Sequence, residues 1–97
     1  MVRISWLDSA RQDLREIFEY ISPDSARYAK FQIERIFSRT QILKKQPSLG
    51  KVVEEIGDPN IRELVEGNYR IIYRIVNQHH IHILMVHHAS RDLGRRI

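Results

Sequence analysis

The spacing of the apolar residues changes at Gly50, near the middle of this 97-residue chain. From Asp8 to Gly50 the apolar residues recur every three or four positions, which places them on one face of a helix. After Gly50, short runs rich in β-branched residues alternate with turn residues, which is the pattern of strands joined by tight connections. A chain of 97 residues provides for one hydrophobic core. The sequence therefore predicts a single α+β domain over residues 1–97.

Two amphipathic helices are predicted in the first half of the chain. The first helix begins with Asp8 as its N-cap, and its apolar face consists of Ala10, Leu14, Ile17, Phe18 and Ile21. The second helix begins at Ser22-Pro23-Asp24-Ser25, which offers a capping hydroxyl and a proline at the first helical position, and it ends before Pro47. Almost no linker separates the two helices, so they are expected to form a hairpin.

Five strands are predicted around these helices. The first is a short strand before the helices, where apolar and polar residues alternate from Val2 to Trp6. The other four follow Gly50 and cover Lys51–Glu55, Ile61–Glu66, Tyr69–Val76 and Ile81–His88. Strands joined by short turns pair antiparallel. We therefore expect the N-terminal strand and the helical hairpin on one face of a small antiparallel sheet, in the order β-α-α-β-β-β-β.

The predicted strand from Tyr69 to Val76 has two different faces. Its aromatic and aliphatic face, which suits packing against the helices, consists of Tyr69, Ile71, Tyr73 and Ile75. The other face carries Arg70 and Arg74, which are then left for solvent, a ligand or a partner chain. Ion pairs with Glu63 or Glu66 on the preceding strand are the structural alternative to a functional role.

Composition narrows the classes of function. The formal charge of +4 is compatible with an anionic partner, and the absence of cysteine removes disulfides and thiolate chemistry. Strand alternation places His80, His82 and His88 on one face, but no carboxylate lies among them, so neither a metal nor a cofactor is expected. No apolar run approaches the roughly 20 residues that cross a bilayer, and we expect a cytoplasmic protein without a membrane partner.

Two motifs in the second half resemble those of RelE/ParE toxins, the toxin superfamily of bacterial type II toxin–antitoxin systems. The run Tyr69-Arg70-Ile71-Ile72-Tyr73 is similar to the Tyr-Arg-x-x-Tyr strand of these toxins. The run His88-Ala89-Ser90-Arg91-Asp92 is similar to their ending, in which a histidine and two further residues precede Arg-Asp. In the first half Trp6, Asp13 and Ser22-Pro23 agree as well. The resemblance extends over nearly the whole chain.

The resemblance implies a toxin that inhibits growth, contributes to plasmid stabilisation and is held inactive by a cognate antitoxin. Within the superfamily, ParE-like members poison DNA gyrase and RelE-like members cleave ribosome-bound messenger RNA. The His-x-x-Arg-Asp ending and the long helical hairpin favour the ParE-like branch, with the RelE-like endoribonuclease as the alternative. A further alternative is a non-toxic member that acts as a corepressor with its antitoxin. Operator DNA is expected to be contacted only through the antitoxin, and the sequence leaves a homodimer open.

An endoribonuclease of this kind needs a base, a cation beside the phosphate and an acid for the leaving oxygen. The resemblance to RelE-like enzymes assigns these roles to Glu54, Arg70 and His88. Glu55, next to Glu54, is the substitute for the base. His87 is the substitute for the acid, because the turn before the last strand leaves its register open. Further cationic residues expected to contact a partner or phosphate are Arg62, Arg74, Arg91, Arg95 and Arg96.

Overall fold

A computed structural model describes residues 1–97 as two α-helices and five strands, which confirms the α+β class and the predicted order. The strands are β1 (Arg3–Trp6), β2 (Lys51–Val52), β3 (Ile61–Glu66), β4 (Tyr69–Asn77) and β5 (His80–His88). The helices are α1 (Asp8–Ile21) and α2 (Ala26–Thr40), and short 3-10 turns cover Gln41–Lys44 and Leu93–Arg95. Neither α-helix is long and apolar enough to span a membrane.

The five strands form one sheet in the order β1-β5-β4-β3-β2. Consecutive strands from β2 to β5 pair antiparallel, as predicted. The sheet is mixed rather than wholly antiparallel, because β1 joins its edge parallel to β5. The rule that neighbouring strands alternate in direction applies to strands joined by tight turns, and most of the chain separates β1 from β5.

The helical hairpin differs from the prediction at the start of both helices. The N-cap of α1 is Leu7 and not Asp8, which is the first residue of the helix. Residues 22–24 form a turn, and the helix is capped by Ser25, whose hydroxyl accepts a hydrogen bond from the Tyr28 amide at 3.0 Å. The capping hydroxyl therefore comes from the second serine of the Ser-Pro-Asp-Ser run and not from Ser22. The helical region ends before Pro47 as predicted, with its last turn tightened into a 3-10 turn.

Strand β2 is only two residues long, whereas the sequence predicted a strand over Lys51–Glu55. It ends there because Val53 is fully buried against the face of the sheet opposite the helices. The amides of Ile56 and Gly57 both donate to the Val53 carbonyl, and Gly57 adopts a φ of +75°. The segment after β2 is therefore a turn that covers the sheet and not a strand that extends it.

A bulge in β5 changes which side chains share a face. Tyr73 pairs with Ile83 and Ile72 pairs with Met85, so Leu84 is an extra residue in β5. After the bulge, Arg70 pairs with His87 and Tyr69 pairs with His88. His80, His82 and His88 were expected on one face, and this expectation is wrong because the extra residue moves His88 to the helix side.

Two apolar clusters stabilise the sheet, one on each face. The larger cluster lies between the helices and the sheet, and its fully buried members include Ala10, Ile36, Leu43, Ile71, Tyr73, Ile81 and Ile83. The smaller cluster lies on the other face and consists of Val53, Ile61, Ile72 and Leu93. The aromatic face of β4 packs against the helices as predicted, and the second cluster covers part of the face that carries Arg70 and Arg74.

The hydroxyl of Tyr73 ties the connection between the helices and β2 to the centre of the sheet. It accepts a hydrogen bond from the Gly50 amide at 3.0 Å and donates one to the Pro47 carbonyl at 2.8 Å. A Cβ at Gly50 would lie 2.5 Å from the Glu63 carbonyl oxygen and 2.7 Å from the Tyr73 hydroxyl. Glycine is therefore required where the chain passes from the helical to the strand half of the fold.

We predict that Tyr73→Phe lowers the free energy of unfolding by about 1–3 kcal/mol, because the buried Gly50 amide loses its acceptor. Urea denaturation followed by circular dichroism measures this change. Tyr28→Phe removes a hydroxyl from a side chain that is half exposed and serves as the control. Equal stability of the two variants would contradict the role given to the Tyr73 hydroxyl.

Candidate functional site

The guanidinium of Arg70 is enclosed by two carboxylates on the face of the sheet opposite the helices. Its Nε donates to Glu63 Oε2 at 2.6 Å, and its two Nη atoms donate to the two oxygens of Glu55 at 2.8 and 2.9 Å. The Arg70 side chain is 15% exposed and that of Glu63 is 4% exposed. Lys51 lies 3.6 Å from the second oxygen of Glu63. All three nitrogens of Arg70 are therefore engaged within the protein.

The contact between Arg70 and Glu55 shifts the pKa values of both groups. The hydrogen bond from Arg70 lowers the pKa of Glu55 from its ordinary value of 4.5 to about 2. The same hydrogen bond raises the pKa of Arg70 further above its already high value. Both groups are charged at neutral pH, so the Glu55 carboxylate is held as an ion-pair partner of the arginine.

The other predicted members of the endoribonuclease site are divided between the two faces. Glu54 is exposed and borders the same shallow cleft as Arg70. His88 lies on the helix side, where its ring packs edge-on against Tyr69 with centroids 5.3 Å apart. The register thus brings His87, and not His88, to the face of Arg70. Glu55 reaches the same face from the turn after β2.

His87 is only 7% exposed, because the C-terminal tail (residues 89–97) covers it. Its Nε2 lies 3.2 Å from the carbonyl of Arg91, and its Nδ1 lies 3.4 Å from Arg96 Nη1. Since an arginine nitrogen donates, Nδ1 accepts and Nε2 carries the proton that bonds the carbonyl. Both ring nitrogens of His87 are therefore used by the tail.

Asp13 of α1 anchors this tail. It is 7% exposed, accepts a hydrogen bond from the Val86 amide at 2.8 Å and binds the guanidinium of Arg96 through both oxygens. Leu93, between β5 and Arg96, is buried in the second apolar cluster. The tail is thus held at two points, one apolar and one ionic, and Arg96 is a structural residue in this fold.

The remaining predicted contact residues have different surroundings. Arg62 donates to the carbonyls of Pro59 at 2.9 Å and Gly50 at 3.0 Å, so it fixes the loops on either side of β2. Arg95 is exposed and lies 3.8 Å from Asp92. Arg91 is exposed, and Arg74 is exposed without an ion pair. Of these four, Arg91 and Arg74 are available to a partner without breaking a contact.

A cleft of about 450 Å³ lies between α1 and the ends of β4 and β5. Aromatic, cationic and acidic side chains share its walls, among them Tyr20, Tyr69, His88, Arg91 and Glu16. No group of three or more histidine, aspartate and glutamate side chains is arranged to hold a metal ion. The cleft is therefore a polar surface feature whose lining differs from that of the Arg70 network.

The sequence pattern did not predict the role of Asp13 as an anchor of the C-terminal tail. Asp13 lies between the apolar positions Ala10 and Leu14 of α1, and a carboxylate on the buried side of a helix was a signal that it has a partner. Its partners are more than 70 residues away in sequence, at Val86 and Arg96. Spacing along the chain gave no means of pairing them.

The fold and motifs agree with comparisons to known proteins. Residues 4–93 match the ParE toxin of the type II toxin–antitoxin system parDE. A solved structure of the chromosomal ParDE system from Pseudomonas aeruginosa superposes with a TM-score of 0.76 and 20% identity, over 93% of this chain and 98% of that one. The RelBE2 toxin–antitoxin complex from Mycobacterium tuberculosis superposes with a TM-score of 0.58 and 24% identity, over 90% and 96% of the chains. No curated protein matches this chain in sequence.

These comparisons define a domain of the RelE/ParE superfamily. Because the match covers residues 4–93, the chain belongs to the ParE toxin family of type II toxin–antitoxin systems. The two solved structures share its fold across almost the full length of each chain. The resemblance based on the Tyr69–Tyr73 and His88–Asp92 motifs is confirmed.

We predict an acid-dependent loss of stability that depends on Glu55. Its pKa is lowered on folding, so its contribution is complete above about pH 4.5 and is lost as the pH falls toward 2. Glu55→Gln should flatten the dependence of unfolding free energy on pH in this range, measured by urea denaturation at a series of pH values. Glu54→Gln, at the exposed neighbouring position, should leave the dependence unchanged. Identical curves for wild type and Glu55→Gln would refute the assignment.

We also predict that Asp13→Asn lowers the free energy of unfolding by about 2–3 kcal/mol, because the partly exposed Arg96 loses its counter-ion near a buried amide. Arg96→Gln should cost at least as much, because it leaves the nearly buried Asp13 carboxylate without its cation, whereas Asp13→Asn keeps an oxygen that can accept from the Val86 amide. Asp8→Asn is the control, because Asp8 forms an ion pair on the surface of the same helix. A thermal denaturation series in which Asp13→Asn costs clearly more than Arg96→Gln would contradict this arrangement.

Proposed function

We propose that this type II toxin arrests growth in the cytoplasm by poisoning DNA gyrase, and that a cognate antitoxin binds it and holds it inactive. The observation that carries the proposal is the engagement of Arg70 by Glu55 and Glu63. A guanidinium that stabilises a phosphorane must offer donors to phosphate oxygens. The donors of Arg70 are already directed at carboxylates, and a phosphate brought to this place would meet two negative charges.

The histidines support the same proposal. A general acid must reach the leaving oxygen of the substrate, either directly or through one water molecule. His87, which shares the face of Arg70, is 7% exposed and hydrogen-bonded to the tail through both ring nitrogens. His88 is on the other face of the sheet. The arrangement favours action by binding a protein target over cleavage of RNA.

The proposal of an antitoxin partner rests on the family and on its solved neighbours. The structure from Mycobacterium tuberculosis is described as a toxin–antitoxin complex, and the one from Pseudomonas aeruginosa as a ParDE toxin–antitoxin system. We extend this kind of partner to the present chain. Operator DNA is then reached through the antitoxin, and co-expression of the antitoxin is expected to relieve growth arrest.

A short induction in growing bacteria tests the target. We expect double-stranded chromosome breaks and intact messenger RNA, together with inhibition of supercoiling when the purified chain is added to purified gyrase and relaxed plasmid. Messages cut at ribosome-bound codons in cells with intact chromosomes would establish the RelE-like alternative. Absence of growth arrest on induction would favour the non-toxic corepressor.

A variant at the predicted endoribonuclease residues sharpens this test. Loss of a general acid or base costs about 10²–10⁴-fold in rate. Under the gyrase proposal, Glu54→Gln combined with His88→Gln leaves the growth arrest unchanged, as does the control His79→Gln in an exposed turn. Loss of growth arrest in the double variant alone, with normal folding, would contradict the proposal.

A further inference from the structure

One end of the sheet is bare on the face opposite the helices. The turn after β2 and the C-terminal tail cover the middle of this face, through the cluster of Val53, Ile61, Ile72 and Leu93. Beyond that cluster, the hairpin end of β4 and β5 and the neighbouring β1 carry side chains that are exposed or partly exposed. We call this region the bare end, defined by Arg3, Ser5, Arg74, Asn77, His80 and His82.

The register places these six side chains in two rows across three strands. In the first row Arg74 pairs with His82, which pairs with Ser5. In the second row Asn77 pairs with His80, which pairs with Arg3. Ile4 and Ile81, between the rows, pack into the helix-side core, so the paired residues before and after them point to the bare end. Paired residues lie about 5 Å apart across strands, so each row forms a continuous polar surface.

Hydrogen bonds within the bare end leave its cations free. Ser5 Oγ lies 2.8 Å from His80 Nε2, and the rings of His80 and His82 meet edge to face with centroids 4.6 Å apart. Neither Arg3 nor Arg74 forms an ion pair, whereas Arg70 on the same strand is enclosed by two carboxylates. The two rows contain no acidic residue.

Acidic groups near the bare end are engaged elsewhere. Asp58, in the turn before β3, accepts a hydrogen bond from the Asn60 amide at 2.8 Å and does not pair with Arg74. Glu63 lies on the same face of β3 as Ile61, two positions further on, and its carboxylate accepts a hydrogen bond from Arg70. The bare end is therefore an uncompensated cationic surface, and such a surface attracts an anionic partner.

We propose that the bare end is a DNA-contacting surface that binds the phosphate backbone without reading sequence. Arginine, serine, asparagine and histidine side chains are donors of the kind that contact phosphate oxygens. The six side chains that define the bare end are all polar, and the adjacent Val76 side chain is 43% exposed, so these residues form no buried apolar site for a side chain of an acidic peptide. This proposal goes beyond poisoning of gyrase, because it assigns the toxin a direct contact with nucleic acid.

Salt-dependent binding tests this surface directly. A fluorescently labelled 20-base-pair duplex of arbitrary sequence is titrated with the purified chain at a series of KCl concentrations, and anisotropy gives the binding constant. Each lost phosphate contact reduces the slope of log Kobs against log[salt] by about 0.9. We expect Arg3→Gln combined with Arg74→Gln to reduce the slope by about 2 and to weaken binding equally for unrelated sequences.

Arg27→Gln provides a matched control. Arg27 is exposed on α2, in the layer on the other face of the sheet, so its replacement removes positive charge without touching the bare end. Circular dichroism establishes folding of each variant, and Arg3 and Arg74 have no side-chain hydrogen bonds to lose. Two results would overturn the proposal. The first is that the wild-type chain shows no detectable DNA binding at low salt. The second is that Arg27→Gln reduces the slope, per charge removed, as much as the double variant does. Binding of poly-glutamate but not DNA, with the same dependence on Arg3 and Arg74, would assign the surface to an acidic protein.

The two proposals fail independently, because the binding assay contains no gyrase. DNA binding that depends on Arg3 and Arg74, without inhibition of supercoiling, would refute the gyrase proposal alone. Inhibition of supercoiling that the double variant retains in full, together with absence of DNA binding, would refute the DNA-contacting surface alone.

Discussion

The outer edge of β5 is the constraint on which the rest of the structure depends. Strand β5 has nine residues, but β1 pairs only with its first half, from His80 to Ile83. An unpaired strand edge at the side of a core is costly unless its polar groups find partners. Helix α1 supplies them, since Ser9 donates to the Leu84 carbonyl and Asp13 accepts from the Val86 amide. The helix thus completes the sheet as well as covering it.

The position of Asp13 then determines what the C-terminal tail can do. The Asp13 carboxylate binds Arg96 and also accepts a hydrogen bond from β5. The tail therefore runs back across the sheet between Leu93, in the second cluster, and Arg96. His87 is enclosed as a result, and the face of Arg70 carries an internal ion network instead of an open pair of histidine and arginine. The same contacts that stabilise the fold engage Arg70 and His87, two of the residues predicted for RNA cleavage.

Local patterns predicted the parts of the fold that depend on one strand or helix. The alternation from Tyr69 to Val76 assigned the core face of β4 correctly, and the pairing of Arg70 with Glu63 was among its alternatives. Patterns failed where distant residues decide the outcome. Val53 leaves β2 to fill a cluster with Leu93, which lies 40 positions further on, and the histidine opposite Arg70 depends on the bulge at Leu84. No local spacing contains that information.

The bulge at Leu84 also affects how sequences of this kind are compared. The bulge accommodates one extra residue in β5, and the pairing of β4 with β5 continues on both sides of it, with Arg70 opposite His87. A chain that lacked both Leu84 and the bulge would set its histidine opposite the arginine in the same way, although an alignment would show a gap. A chain of equal length with a straight strand would set residue 86 opposite the arginine and would turn His88, not His87, to the face of the arginine. Distance along the sequence between the Tyr-Arg and His motifs is therefore a poor measure of distance in space, and residue roles transfer between relatives only when the strand irregularity is aligned first.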